Sequence, residues 1–196
     1  MSSHSNKIYS FYARAALTET ALDRVGRISN SSHKLIEHGE LGKLVAIDAL
    51  DTELIEKAQS MSVLYTAIAA FENSVRALIV STLAENVGED WWDTCVSKRI
   101  RDDAEKRQKA EEKVRWHAQR GANPINYTML PNLAQIIAMN HDPHFEPFIH
   151  SVDWAKSIFN TIERSRNVIM HSGFLEKRDL ARVGTAIRDW ASQVAT

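Results

Sequence analysis

The residues best placed to do chemistry lie in the run RSRNVIMHSGFL, where Arg166 is followed by Asn167 and, after three apolar residues, by His171. This is an Arg-Asn-x-x-x-His array at the end of a helical stretch. Five residues along a helix amount to a rotation of about 500° and a rise of about 7.5 Å, so the Arg and His side chains leave about 140° apart and flank one ridge. One such helix is a poor catalytic site. A twofold dimer that packs two of them together would bring two Arg and two His to one cleft. In the last turn His171 also stands at the negative end of the helix dipole, a place that suits a proton-transferring imidazole. Spacing alone does not separate motif from accident, because 14 Arg and 8 His in 196 residues give about half an Arg-His match of this spacing by chance.

The elements that must position these residues read as helices. Pro occurs only at Pro124, Pro131, Pro143 and Pro147, and seven Gly are spread over the chain, so long helices are permitted almost everywhere else. A first helix is expected over about 8–27, followed by a polar break at Ser29–Ser32. Asp51 is a plausible N-cap for a long core helix to about Asn86, with the stripe Leu54, Ala58, Met61, Tyr65, Ile68, Val75 and Ile79. Glu72 fills the gap in that stripe, a carboxylate where burial is expected, and it needs a partner. Gly88 ends the helix, and GEDWW opens a second long segment from about Asp90 to Arg120.

Residues 121–150 hold all four Pro and read as an irregular, lid-like connection with one short helix across Leu133–Met139. Asp153 is the expected cap of the next helix, with Ala155, Ile158, Phe159, Ile162 and Ile169 along one face and Gly173 in the C-terminal position. The last helix carries Leu180, Val183, Ile187, Trp190 and Val194. With no convincing strand, the expected fold is an all-α helical bundle with long central helices and a C-terminal helical hairpin. Residues 1–50 read as an N-terminal helical extension and 51–196 as the main helical domain.

Composition bounds the function. The chain of 22.2 kDa carries 24 Lys plus Arg against 25 Asp plus Glu, so no whole-molecule field draws it onto nucleic acid, and any basic surface is local. Cys95 is the sole cysteine, which excludes a disulfide scaffold and suggests a reducing, cytoplasmic setting. No apolar run approaches the roughly 20 residues of a membrane span, so no membrane role is expected. His141, His144 and His150 with Asp142 lack the helical spacing that preorganises metal ligands, and no Gly-rich phosphate loop is present; neither metal nor nucleotide cofactor is expected.

FENSVRALI in the long central helix, GEDWW directly after it, and the Arg-Asn-x-x-x-His array followed by a final helix resemble, in that order, the HEPN superfamily. The likeness is to the subgroup shared by a eukaryotic RNA-quality-control endonuclease and many bacterial defence proteins. It covers roughly residues 60–195 and leaves those before about 55 unassigned. It implies a HEPN-type bundle that dimerises about its motif helices and acts as a metal-independent RNA endonuclease. Arg166 and His171 match the two signature positions, and Asn167 the polar residue beside the Arg. In that chemistry the RNA 2′-hydroxyl attacks the adjacent phosphate, His assists proton transfer and Arg stabilises the developing charge, leaving 2′,3′-cyclic phosphate and 5′-hydroxyl ends. The implied partners are tRNA or mRNA, a second copy of the chain, and an inhibitor or defence-system protein, as in phage defence or a toxin. Toxins of the family neutralised by nucleotide transfer carry a Tyr two residues beyond the His, where this chain has Gly173. The alternative within the family is a non-catalytic module that binds RNA or protein.

Around the array, Glu72 and Arg76 sit four apart on one helical face, either as a simple intrahelical pair or as a support that orients Arg166. Nine Lys or Arg between Lys98 and Arg120, among them Lys98, Arg99, Arg101, Arg115 and Arg120, either follow an RNA backbone or form a solvated face with five interleaved acids. Trp116 and His117 stand at the far end of that run. Trp91 and Trp92 read as packing residues.

Overall fold

The computed structural model describes residues 38–194, and all of its regular elements are helical. The chain divides into two units at Leu50–Asp51. The described part of the first unit is helix α1 (His38–Leu44) and a 3-10 turn over Ile47–Ala49. The helix expected over 8–27 and the break at Ser29–Ser32 lie outside the described residues.

The second unit contains α2 (Thr52–Val87), α3 (Trp91–Cys95), α4 (Lys98–Glu112), α5 (Leu130–Met139), α6 (Val152–Met170) and α7 (Lys177–Val194). Helix α2 starts where expected: the Asp51 carboxylate accepts from the backbone N–H groups of Glu53 (2.9 Å) and Leu54 (3.3 Å). It stops at Gly88, whose φ of 95° is a conformation open to glycine and strained for other residues.

The buried face of α2 runs Leu64, Ile68, Phe71, Val75, Ile79 and Leu83, whereas Leu54, Ala58 and Tyr65 are exposed. The expected stripe therefore holds only from Ile68 onward. Phe71, not Glu72, fills its gap, and Glu72 stands at the edge of the buried face. By length and composition alone α2 is also apolar enough to cross a membrane, with a mean hydropathy of 1.4 over its best window. That departs from the run-length expectation, because Glu72, Asn73 and Arg76 break the apolar run while the residues on either side keep the average high.

Helices α5, α6 and α7 pack in sequence, and α2 lies against α5 and α6. Their core joins Leu133, Ile136 and Ile137 of α5 to Ala155, Ile158, Phe159 and Ile162 of α6 and to Val183, Ala186 and Trp190 of α7. An aromatic knot locks three helices together: Phe71, Phe159 and Trp190 meet edge to face with centroids 5.3 to 5.8 Å apart, and Trp154 stacks on Trp190 at 5.9 Å. Helices α6 and α7 form the C-terminal hairpin.

Three further expectations are corrected. The segment from Asp90 to Arg120 is not one helix: Val96 turns extended to bury its side chain, Ser97 begins α4, and α4 ends at Glu112. Residues 121–150 are not a lid but part of the core, with Ile125, Tyr127, Leu130, Leu133, Phe145 and Ile149 all buried. The prolines permit this because Pro124 opens a 3-10 turn and Pro131 sits in the first turn of α5, where a missing N–H costs nothing. Finally, α6 is capped by Ser151, whose hydroxyl accepts from the Trp154 N–H at 3.2 Å, while Asp153 lies in the first turn.

Candidate functional site

Glu72 and Arg76 are one helical turn apart on α2, and Glu72 Oε1 accepts from Arg76 Nη2 at 3.2 Å. The other carboxylate oxygen, Oε2, lies 3.7 Å from Nε of Arg166, which α6 delivers from the neighbouring helix. The three side chains are 13%, 16% and 27% exposed, so one partly buried carboxylate serves two guanidinium groups. The cluster is left with a net positive charge in a setting where water screens it weakly. Arg76 is held further by Asn73 Oδ1 (3.1 Å) and the Thr128 carbonyl (3.4 Å), while its buried Nε has no acceptor. The partner that Glu72 needs is thus both of the candidate arginines.

These residues line a cleft of about 450 Å³ whose opposite wall is Arg120, Asn126, Thr128 and Met129. That wall is built by the segment between α4 and α5. Asn123 accepts from the Ile125 N–H (3.2 Å), the Thr128 hydroxyl donates to the Ile125 carbonyl (2.6 Å), and Arg107 of α4 donates to the Tyr127 carbonyl (2.8 Å). The buried Tyr127 hydroxyl donates to the Gly121 carbonyl at 3.0 Å. Gly121 has φ 131°, and a Cβ there would lie 2.6 Å from Asn126 Nδ2, so glycine lets the Asn126 amide close over the backbone.

Arg120 is carried on a short turn-rich segment that Glu111 ties back to α4. The Glu111 carboxylate meets Arg120 Nε at 2.7 Å and accepts from the Arg120 backbone N–H at 3.2 Å. The guanidinium lies 6.0 Å from the centroid of the Tyr127 ring, within cation–π range.

Asn167 and His171 are exposed at the far end of α6 and do not line the cleft. The helix ends in two reverse hydrogen bonds, Gly173 N–H to the Val168 carbonyl (2.8 Å) and Ser172 N–H to the Ile169 carbonyl (3.0 Å). Ser172, with φ 59°, takes the left-handed position expected of Gly173. Gly173 is needed for a different reason: a Cβ on it would stand 2.7 Å from Val168 Cγ1 and 2.9 Å from the Val168 carbonyl oxygen.

Of Lys98, Arg99, Arg101, Arg115 and Arg120, only Arg120 reaches the cleft. Lys98 pairs with Asp102 at 3.1 Å, Arg101 pairs with Asp93, and Arg99 and Arg115 are exposed. Asn73, Asn126, Thr128 and Met129 were not anticipated; Asn73 lies inside the FENSVR run, while the other three follow a proline that reads as a break. Among the described residues no three His, Cys, Asp or Glu side chains converge as metal ligands would, and His141 Nε2 instead meets the Ile149 carbonyl at 2.5 Å. No family model, curated protein or solved structure matches the chain.

Proposed function

We propose that the protein is a HEPN-type, metal-independent RNA endonuclease that works as a homodimer. The observation that carries this reading is the shared Glu72 carboxylate, which holds Arg166 of the motif helix and Arg76 at the edge of a cationic cleft. A phosphodiester in that cleft would have its developing oxyanion charge opposed by the arginines. The 2′-hydroxyl oxygen forms a bond to phosphorus while the bond to the 5′-oxygen breaks. His171 takes up or returns a proton in this exchange. Because His171 stands outside the cleft of its own protomer, the reading requires the motif helix of a second copy, which supplies the second Arg and His. A role in phage defence or as a toxin held by a partner protein follows from the family resemblance, and a cytoplasmic setting from the lone cysteine, Cys95.

The test is incubation of the purified protein with total tRNA and mRNA in EDTA, beside the Arg166→Ala and His171→Ala proteins, with analysis of the product ends. Cyclic-phosphate ends produced by the parent and lost in both variants support the reading; cleavage that survives either substitution overturns it. The position of His171 also favours a second reading, an RNA-binding module that does not cut, which predicts RNA retention without turnover by the same parent protein.

A further inference from the structure

The segment between α4 and α5 carries a feature that the cleavage chemistry does not use. Trp116 is 85% exposed, and its only ring contact among the described residues is an edge-on one with the adjacent His117, at 5.7 Å. A ring so exposed presents a flat aromatic face on which a base can stack. It stands between Arg115 and Arg120, and four residues of chain place it at most about 14 Å from Arg120. The Glu111 tie and the Tyr127 ring fix Arg120 at the cleft wall, so one end of the Trp-bearing segment is anchored there. Glu111 meets Arg120 at Nε and at the backbone N–H and holds the side chain in place. Arg120 lines the cleft that also holds Arg76 and Arg166.

We infer that residues 113–121 form a single-strand-binding arm in which Trp116 stacks on an unpaired base while Arg120 binds a backbone phosphate of the same strand at the cleft. Stacking and phosphate contact together are what unpaired nucleic acid offers: a duplex hides its base faces. Arg115, exposed beside Trp116, adds positive charge along the same path. The inference deepens the nuclease reading by naming unpaired RNA as the substrate class, and rests on that reading for the strand being RNA.

The experiment uses the full chain and a short, labelled 2′-O-methyl oligonucleotide, which lacks the attacking hydroxyl and so reports binding alone. Affinity is measured for the single strand and for the same sequence as a duplex. The parent prefers the single strand; Trp116→Ala weakens single-strand binding about tenfold, Trp116→Phe restores most of it, and duplex binding is unchanged by either. Arg120→Gln weakens binding and lowers the slope of log affinity against log salt by about 0.7, the loss of one phosphate contact on a single strand. Equal affinities for parent, Trp116→Ala and Arg120→Gln, or no preference for the single strand, overturn the arm. Since the probe is not cut, failure of the nuclease reading shows separately, as RNA cleavage indifferent to His171.

Discussion

Arg166 on α6 and Arg76 on α2 share one carboxylate, that of Glu72, at 3.7 and 3.2 Å. The cluster does two jobs that separate in experiment, tying two helices together and presenting positive charge to a cleft.

The first prediction concerns the tie. Glu72→Gln leaves two partly buried guanidinium groups without their counter-charge, and we expect a loss of about 1–3 kcal/mol in urea unfolding. Glu72→Gln combined with Arg76→Met recovers part of that loss, because the second change removes the group left unpaired. Strict additivity of the two changes would mean that the pair contributes little to stability.

The second concerns the end of α6. Gly173→Ala forces a Cβ against the Val168 carbonyl, a backbone atom that has no room to give, and costs about 1–3 kcal/mol. Ser172→Gly, one residue earlier, relieves a left-handed conformation and is neutral or stabilising by up to about 1 kcal/mol. Thermal melts should fall for Gly173→Ala and hold or rise for Ser172→Gly, and the cleavage of the proposed enzyme should fall only in Gly173→Ala, where the turn that carries His171 is displaced.

The bundle, the long central helix and the hairpin were legible because helical phase and caps are local signals: Asp51 and Gly88 bound α2 within a residue or two of where they point. The demand of Glu72 for a partner was legible too, since the apolar spacing puts a carboxylate where burial is expected, although Phe71 fills that gap and Glu72 stands at its edge. What phase does not carry is how far a stripe stays covered. Leu54 and Ala58 continue the pattern of Ile68 and Val75, yet within the described unit no neighbouring helix reaches them. Pro124 and Pro131 misled in the other direction, because the same residue that breaks a helix interior is comfortable at its start. The wall of Asn126, Thr128 and Met129 was therefore hidden behind a supposed break, and only Arg120 among its members stood out by charge.

A third prediction tests the aromatic knot. Trp190 is the ring on which Phe71, Phe159 and Trp154 converge from two other helices, so Trp190→Ala costs about 3–5 kcal/mol. Trp190→Phe, which keeps a ring but leaves space, costs less than half of that. Chemical denaturation of both variants checks the order; equal losses would mean that ring volume at this position is not what holds α2, α6 and α7 together.

The last prediction follows from where the two motif residues stand. Arg166 lines the cleft and His171 does not, so a working centre in the proposed enzyme combines residues from two copies. His171→Ala, at an exposed position, should leave the melting curve almost unchanged, within about 0.5 kcal/mol, while removing cleavage. Arg166→Ala should remove cleavage as well. Mixed in equal amounts and allowed to exchange subunits, the two inactive proteins form heterodimers that keep one Arg166 and one His171. If one of each suffices, cleavage returns at a fraction of the parent rate and grows with the heterodimer population. Specific activity of the parent should likewise rise with protein concentration through the dimerisation range. A parent whose specific activity is constant down to concentrations at which sedimentation shows only monomer would place both residues in one protomer's site and remove the need for a second copy.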